Sequence, residues 1–180
     1  MELPGHIVKK IEEVQKDLKL SRADVRWVSP EKIHLTLKFF GDIEEARIES
    51  IIKAIEDPVR KTPPFSLLVR GLGAFPQLKN PRVMWMGLVD PKGVLAPFQK
   101  EVESRLNEMG FEAEDRAFQP HLTLGRVKSN RGRDELVGTV EKHLEEEFGE
   151  FMVERIVLFK SELRPSGPLY TPLRDLKLEV

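Results

Sequence analysis

Hydrophobic residues recur along this chain with two periods, one typical of helices and one typical of strands. Ile7, Ile11, Val14 and Leu18 follow each other at helical spacing, which predicts an amphipathic helix over residues 5–18. The same spacing predicts helices over residues 44–56 (ended by Pro58), 95–109 and 136–148. Short runs rich in β-branched and aromatic residues predict strands over residues 25–29, 33–40, 65–69, 83–89, 111–118, 118–127, 151–160 and 169–180.

The tetrapeptide His-Leu-Thr-Leu occurs twice, at residues 34–37 and 121–124, and each copy lies in a predicted strand. Alternate side chains of a strand share a face, so His34 and Thr36 point away from the leucines of the first copy. His121 and Thr123 do the same in the second copy. A single such motif also fits an ordinary half-buried strand. Two copies with the same apolar partners, each preceded by a helix one connection earlier, favour a functional site shared by two related halves.

If the two strands lie side by side, two imidazoles and two hydroxyls meet in one cleft. An imidazole gains and loses a proton near neutral pH, so the pair offers a general acid and a general base. The hydroxyls add two neutral hydrogen-bond donors. The sequence therefore predicts an acid–base catalytic site at the two motifs.

Composition, charge and length exclude several classes of protein and of binding site. The 29 basic and 30 acidic residues nearly cancel, so any contact with RNA must be local to a small surface. The absence of cysteine excludes disulfides, thiolate catalysis and cysteine-ligated metal sites, and it is consistent with a cytoplasmic protein. No run approaches the roughly 20 apolar residues of a membrane span. At 180 residues the chain is expected to be one domain, residues 1–180. We also expect a monomer.

The paired motifs, followed by Lys38-Phe39-Phe40-Gly41-Asp42 after the first and by Gly125-Arg126 after the second, resemble the two-histidine phosphoesterases. The closest branch is the RNA 2′,3′-cyclic phosphodiesterases, also called 2′-5′ RNA ligase-like proteins. The likeness includes Pro81-Arg82-Val83-Met84-Trp85 and the closing segment 161–173. It implies an α+β fold with two pseudo-symmetric lobes of antiparallel sheet flanked by helices, and an active-site cleft between them. It also implies a strand before the first helix. Either the sequence is truncated there or the sheet forms without that strand.

The resemblance implies metal-independent opening of a terminal 2′,3′-cyclic phosphate to a 2′-phosphate, with no cofactor. His34 and His121 would be catalytic, and Thr36 and Thr123 would bind the phosphate oxygens. Arg126 matches a family arginine, although alternation places it on the leucine face unless a bulge at Gly125 turns it. The expected partners are RNA ends or tRNA fragments with a 2′,3′-cyclic phosphate, or nucleotides.

Several assignments stay open from sequence alone. Lys38 shares the histidine face by alternation, so it either reaches the phosphate or points to solvent. Trp85 either stacks on a base or packs in the core, and the basic loop 127–134 either follows RNA phosphates or is simply solvated. The alternatives to hydrolysis are 2′-5′ RNA ligation in the same cleft and a non-catalytic module that binds RNA ends. A metal site at the histidines is disfavoured because neither motif carries a carboxylate on that face.

Overall fold

A computed structural model describes residues 3–114, 116–164 and 167–179. The helices are α1 (Gly5–Lys19), α2 (Ile48–Arg60), α3 (Leu95–Glu108) and α4 (Arg133–Glu141), and short 3₁₀ turns occupy Pro30–Lys32 and Glu45–Arg47. The strands are β1 (Val25–Trp27), β2 (Phe65–Gln77), β3 (Asn80–Val89), β4 (His121–Val127), β5 (Glu147–Val153), β6 (Arg155–Arg164) and β7 (Gly167–Lys177). No helix within the described ranges is long and apolar enough to cross a membrane.

Within the described ranges, two antiparallel sheets and four helices make up the fold, which confirms the predicted α+β class. The larger sheet has five strands in the order β1-β4-β3-β2-β5, and the smaller is the β6-β7 hairpin. Helix α1 packs against β5 and α4, whereas α2 packs against α3 and β7. The larger sheet with α1 and α4, and the hairpin with α2 and α3, are therefore two unequal units.

The amphipathic pattern of α1 explains how it covers the larger sheet. Its four regularly spaced aliphatic residues are buried, in the same hydrophobic cluster as Leu122 and Leu124 of β4. Gln15 is also buried, at 2% exposure, and its side-chain amide donates hydrogen bonds to the carbonyls of Val28 (2.8 Å) and Leu124 (3.0 Å). A buried amide in a helix thus satisfies two backbone acceptors at the edge of β4.

Replacing Gln15 by methionine should destabilise the fold, because it leaves the part-buried Val28 carbonyl without this donor. We expect a loss of about 1–3 kcal/mol in the free energy of unfolding, measured by urea denaturation. Gln99→Met is the matched control, since Gln99 is also buried but its amide lies 3.4 Å from the Leu37 carbonyl, a weaker hydrogen bond. An equal loss in the two variants would contradict this account of Gln15.

Several predicted element boundaries are wrong for physical reasons. Residues 33–40 do not form a regular strand and pair only through Leu35, and residues 111–114 and 116–120 carry no strand. Helix α2 continues past Pro58 to Arg60, because a proline in the last turn removes few hydrogen bonds. The predicted strand 151–160 is the end of β5 and the start of β6, and residues 161–164, predicted as part of a connection, lie in β6.

The fourth helix is shorter than predicted, because the backbone that follows it accepts hydrogen bonds from β2. The chain turns at residues 142–146, where the carbonyls of His143 and Glu146 accept hydrogen bonds from Leu72 (3.0 Å) and Gly71 (2.8 Å). Gly71 has φ +75°, and a side chain there would meet the Leu144 carbonyl. Phe148 is consequently buried from β5 rather than from the helix.

Candidate active site

Strand β4 carries the second motif with its two faces clearly separated. Leu122 and Leu124 are fully buried in the core, whereas His121 and Thr123 are half-buried on the opposite face. On the neighbouring strand β3, Trp85 pairs with Thr123 and Gly87 pairs with His121. Directly paired residues of antiparallel strands share a face, so Trp85 lies beside the motif side chains and not in the core.

The first motif lies next to the second although it is not a regular strand. Strand β1 runs antiparallel to β4, the chain makes one 3₁₀ turn, and residue 35 then returns beside β4 through a bridge from Leu35 to Leu122. This register places His34 opposite Thr123 and Thr36 opposite His121. The structure therefore brings the four predicted side chains to one face of two adjacent segments, in a pseudo-twofold arrangement.

The two imidazoles are held by the same kind of backbone contact. The Nδ1 atom of His34 lies 2.8 Å from the carbonyl oxygen of Lys32, and Nδ1 of His121 lies 2.7 Å from that of Gln119. A carbonyl oxygen only accepts, so Nδ1 carries the proton and donates in both rings. The Nε2 atoms are left to exchange protons with a substrate, as acceptor when neutral and as donor when protonated.

An aromatic ring also packs edge-on against each imidazole. Tyr170 of the hairpin contacts His34 with ring centroids 5.0 Å apart, and Phe75 of β2 contacts His121 at the same 5.0 Å. Both pairs are nearly perpendicular, at 82°. A backbone hydrogen bond on one side and a packed ring on the other restrict the rotation of each imidazole.

Burial lowers the pKa of His34 below its usual value, although the hydrogen bond to the Lys32 carbonyl acts in the opposite direction. The folded protein therefore favours the neutral imidazole at this position. His143 shows the opposite behaviour. Burial alone would lower its pKa, but hydrogen bonds to the Glu146 and Asp17 carboxylates outweigh it and raise the pKa overall.

These two shifts predict opposite pH dependence of stability. His34 binds fewer protons when folded, so its contribution to stability is present above about pH 6.5 and is lost as the pH falls through the lower pKa of the folded state. His143 contributes below that pH and loses its contribution as the pH rises through its raised pKa. Comparing wild type with His34→Gln and with His143→Gln by urea denaturation at pH 5 and pH 8 tests this. The free energy of unfolding of wild type minus that of the variant should be larger at pH 8 for His34→Gln and larger at pH 5 for His143→Gln. The same pH trend in both variants would contradict the two assigned pKa shifts.

A β-bulge in β4 determines which face Arg126 occupies. Opposite the consecutive residues Met84 and Trp85 of β3, β4 places Gly125 and Thr123, so Leu124 is an extra residue. Beyond it Arg126 pairs with Val83, which shares a face with Trp85. The bulge thus turns Arg126, an exposed residue, to the histidine face, whereas simple alternation had placed it with the leucines.

Lys38 does not behave as either sequence alternative predicted. Its side chain is 7% exposed, and its ammonium group forms an ion pair with Glu103 of α3 at 2.6 Å and donates to the carbonyl of Glu112. Alternation fails here because the chain bends at Leu37 immediately after the bridge to β4. Lys38 therefore anchors the first motif segment to α3, with its ammonium group occupied by Glu103 and by the Glu112 carbonyl.

Comparison with known proteins gives the family of the chain. The family described as LigT like Phosphoesterase matches residues 1–85 and 88–170. The chain belongs to this family.

Among curated relatives of this LigT-like phosphoesterase, a protein from Methanothermobacter thermautotrophicus is 38% identical over 93% of the chain and 90% of the relative. One from Aquifex aeolicus is 38% identical over 85% of the chain and 81% of the relative. Both are named RNA 2′,3′-cyclic phosphodiesterase. A crystal structure of a Thermus thermophilus protein superposes with a TM-score of 0.81 at 27% identity, covering 98% of the chain and 93% of that protein. The prediction of a hydrolase of the two-histidine phosphoesterase class is confirmed.

Sequence reasoning missed the aromatic contacts of the LigT-like site. Tyr170 and Phe75 lie far along the chain from the histidines they contact, and no spacing signal connects them. Phe75, Trp85 and His121 line a cavity of about 510 Å³ beside the second motif. Phe39, which follows the first motif, is 71% exposed. Within the described ranges, no group of three or more His, Cys, Asp or Glu side chains is arranged to hold a metal ion.

Proposed function

We propose that this LigT-like phosphoesterase hydrolyses terminal 2′,3′-cyclic phosphates of RNA or nucleotides to 2′-phosphates, without a metal ion. The observation that carries the proposal is the matched pair of imidazoles, each with Nδ1 held by a backbone carbonyl two residues earlier. The names of the relatives support the substrate. We place the enzyme in the cytoplasm, where RNA processing provides such ends.

In the proposed reaction, the neutral imidazole of one motif accepts a proton at Nε2 from a water molecule. The water oxygen forms a bond to phosphorus, and the bond from phosphorus to the ribose 3′ oxygen breaks. The protonated imidazole of the other motif gives its Nε2 proton to that leaving oxygen. One proton is taken and one is given, so a single turnover interchanges the protonation states of the two rings.

Thr36 and Thr123 are proposed to donate hydrogen bonds to the non-bridging phosphate oxygens, where negative charge builds up in the transition state. Each lies opposite the histidine of the other motif, so each imidazole has a hydroxyl facing it across the pair of segments. Arg126 adds a positive charge on the same face. Lys38 is not part of this proposal, because its ammonium group is occupied by Glu103.

The test is the reaction product. A short RNA ending in a 2′,3′-cyclic phosphate is incubated with the protein in excess chelator, and the product is identified by ³¹P NMR. We expect a 2′-phosphate to form at the same rate with and without chelator. A 3′-phosphate would contradict the proposed bond cleavage, loss of turnover in chelator would contradict metal independence, and a 2′-5′ linked RNA would indicate ligation.

A further inference from the structure

We propose that Arg26 and Arg126 form a phosphate-binding track that holds the nucleotides upstream of the cyclic end, so that the enzyme prefers an oligonucleotide to a mononucleotide. This inference rests on the proposed function, because it specifies the substrate of the same site. It concerns Arg26 above all, a residue of β1 that belongs to neither motif.

The two guanidinium groups share one face of the sheet. Arg26 pairs directly with Arg126 across β1 and β4, and Arg126 pairs with Val83 on its other side. Val83 shares its face with Trp85, and Trp85 shares its face with Thr123. The arginine pair therefore lies on the histidine face, and both arginines are exposed.

A pair of like charges directly opposite each other destabilises an antiparallel sheet unless something else compensates it. Within residues 3–114, 116–164 and 167–179, neither Arg26 nor Arg126 forms an ion pair with a carboxylate. Just beyond the ends of these two strands, the Lys128 amide donates to the Asp24 carbonyl at 2.7 Å, so the neighbouring charged residues there have opposite signs. Two uncompensated arginines at one position are a suitable site for an anion, and phosphate accepts hydrogen bonds from arginine with good geometry.

The pair lies at a distance from the motifs that suits a neighbouring nucleotide. Arg126 follows Thr123 by three residues, so the two backbones are separated by at most about 10 Å along the strand. Trp85 lies on the same face of the neighbouring strand β3, opposite Thr123 and two residues from Val83, the partner of Arg126. It is half-buried, with its ring packed over Gly73. An aromatic ring beside positively charged side chains is the combination on which single-stranded nucleic acid stacks its bases.

Two further arginines lie beyond the start of β1, away from the histidines. The loop after β4 runs beside the start of β1, where the Asp24 amide donates to the Arg131 carbonyl at 3.2 Å. Exposed Arg131 and Arg22 line one concave surface there, together with the carboxylate-bearing Glu135. Because a terminal cyclic phosphate is attached to RNA on one side only, a single track leaving the cleft is sufficient.

The experiment compares two substrates that have the same terminal nucleotide, a nucleoside 2′,3′-cyclic monophosphate and a hexanucleotide ending in it. Wild type, Arg26→Ala and Arg26→Glu are measured, with Arg60→Ala as a control for loss of an arginine on α2, which packs against α3 and β7. Binding of the hexanucleotide ending in a 2′-phosphate is measured in parallel by fluorescence anisotropy over a range of salt concentrations, so that the track is tested without turnover.

We expect wild type to have a higher kcat/KM for the hexanucleotide than for the mononucleotide. Arg26→Ala should lower the ratio of the two values by roughly tenfold, the effect of one lost hydrogen bond to a charged group. Arg26→Glu should lower it further, and Arg60→Ala should not change it. A plot of the logarithm of the binding constant against the logarithm of the salt concentration has a negative slope. In Arg26→Ala its magnitude should be smaller by about 0.7, the value for one phosphate of a single strand.

The proposal is overturned if Arg26→Glu lowers kcat/KM by the same factor for both substrates, or if this variant binds the hexanucleotide as tightly as wild type does. Failure of the proposed function looks different, because wild type would then hydrolyse neither substrate. In that case the anisotropy measurement still tests whether Arg26 binds the phosphates of the hexanucleotide. Melting temperatures provide a further check, since removing one of two facing like charges should not lower the melting temperature of Arg26→Ala.

Discussion

Replacing either motif histidine by glutamine, in His34→Gln or in His121→Gln, is expected to lower kcat by about 10²–10⁴-fold. Each imidazole supplies one of the two proton transfers, and its loss raises the barrier by roughly 3–5 kcal/mol. The rates are measured on a cyclic-phosphate substrate, with the fold of each variant checked by circular dichroism and thermal melting.

The double variant should lose less than the product of the two single losses, because the two groups act in one reaction and removing one already disables their cooperation. His6→Gln is the matched control. His6 is an exposed histidine whose Nε2 atom lies 3.0 Å from the Glu150 carbonyl, outside the two motifs. A folded His34→Gln or His121→Gln enzyme with the kcat of the His6→Gln control would contradict the assignment of that imidazole.

Replacing either motif threonine by valine is expected to lower kcat/KM. Valine keeps the shape of threonine and removes only the hydroxyl, so Thr123→Val should lower kcat/KM by about 10²-fold through the loss of one hydrogen bond to the transition state. Thr36→Val should lose less, because Thr36 is exposed and water can replace part of its hydrogen bond, whereas Thr123 is half-buried.

The loss should appear mainly in kcat, because the hydroxyls are proposed to act on charge that develops in the transition state. Thr139→Val is the matched control, since its hydroxyl bonds to the Glu135 carbonyl of its own helix. Valine variants at both motif positions that retain activity within about twofold of this control would remove the threonines from the proposed mechanism.

The histidine pair could be predicted from sequence because its signal is local. Alternation over four residues is enough to place His121 and Thr123 opposite two buried leucines, and the structure has that arrangement. The first motif also reaches the predicted position, although its segment pairs with β4 only through Leu35. A single bridge is enough because the position follows from β1, which already runs along β4.

Features that depend on a second, distant segment could not be predicted. Lys38 was assigned by alternation, but Glu103 on α3, 65 residues later, binds its ammonium group. The orientation of Arg126 depends on a bulge that appears only when β3 and β4 are paired. The aromatic contact to His34 comes from Tyr170 in a hairpin whose pairing the sequence did not reveal, since residues 161–164 were predicted as part of a connection.

The end of the fourth helix illustrates the same limit. Hydrophobic residues continued at helical spacing to Phe148, so the period alone favoured a longer helix. The chain leaves the helix at residue 142 because two carbonyls in the following turn bond the bulged backbone of β2 at Gly71 and Leu72. Hydrogen bonds to a distant strand therefore determine where this helix ends, although the local hydrophobic pattern favours a longer helix.

The central claim is that the two imidazoles act as one acid and one base, and single-turnover pH–rate profiles test it most directly. Wild type should show a bell-shaped dependence of rate on pH, with one limb from the group that must be neutral and one from the group that must be protonated. We predict that His34→Gln loses one limb and His121→Gln loses the other. Loss of the same limb in both variants, or a complete bell in either, would contradict the two-histidine account.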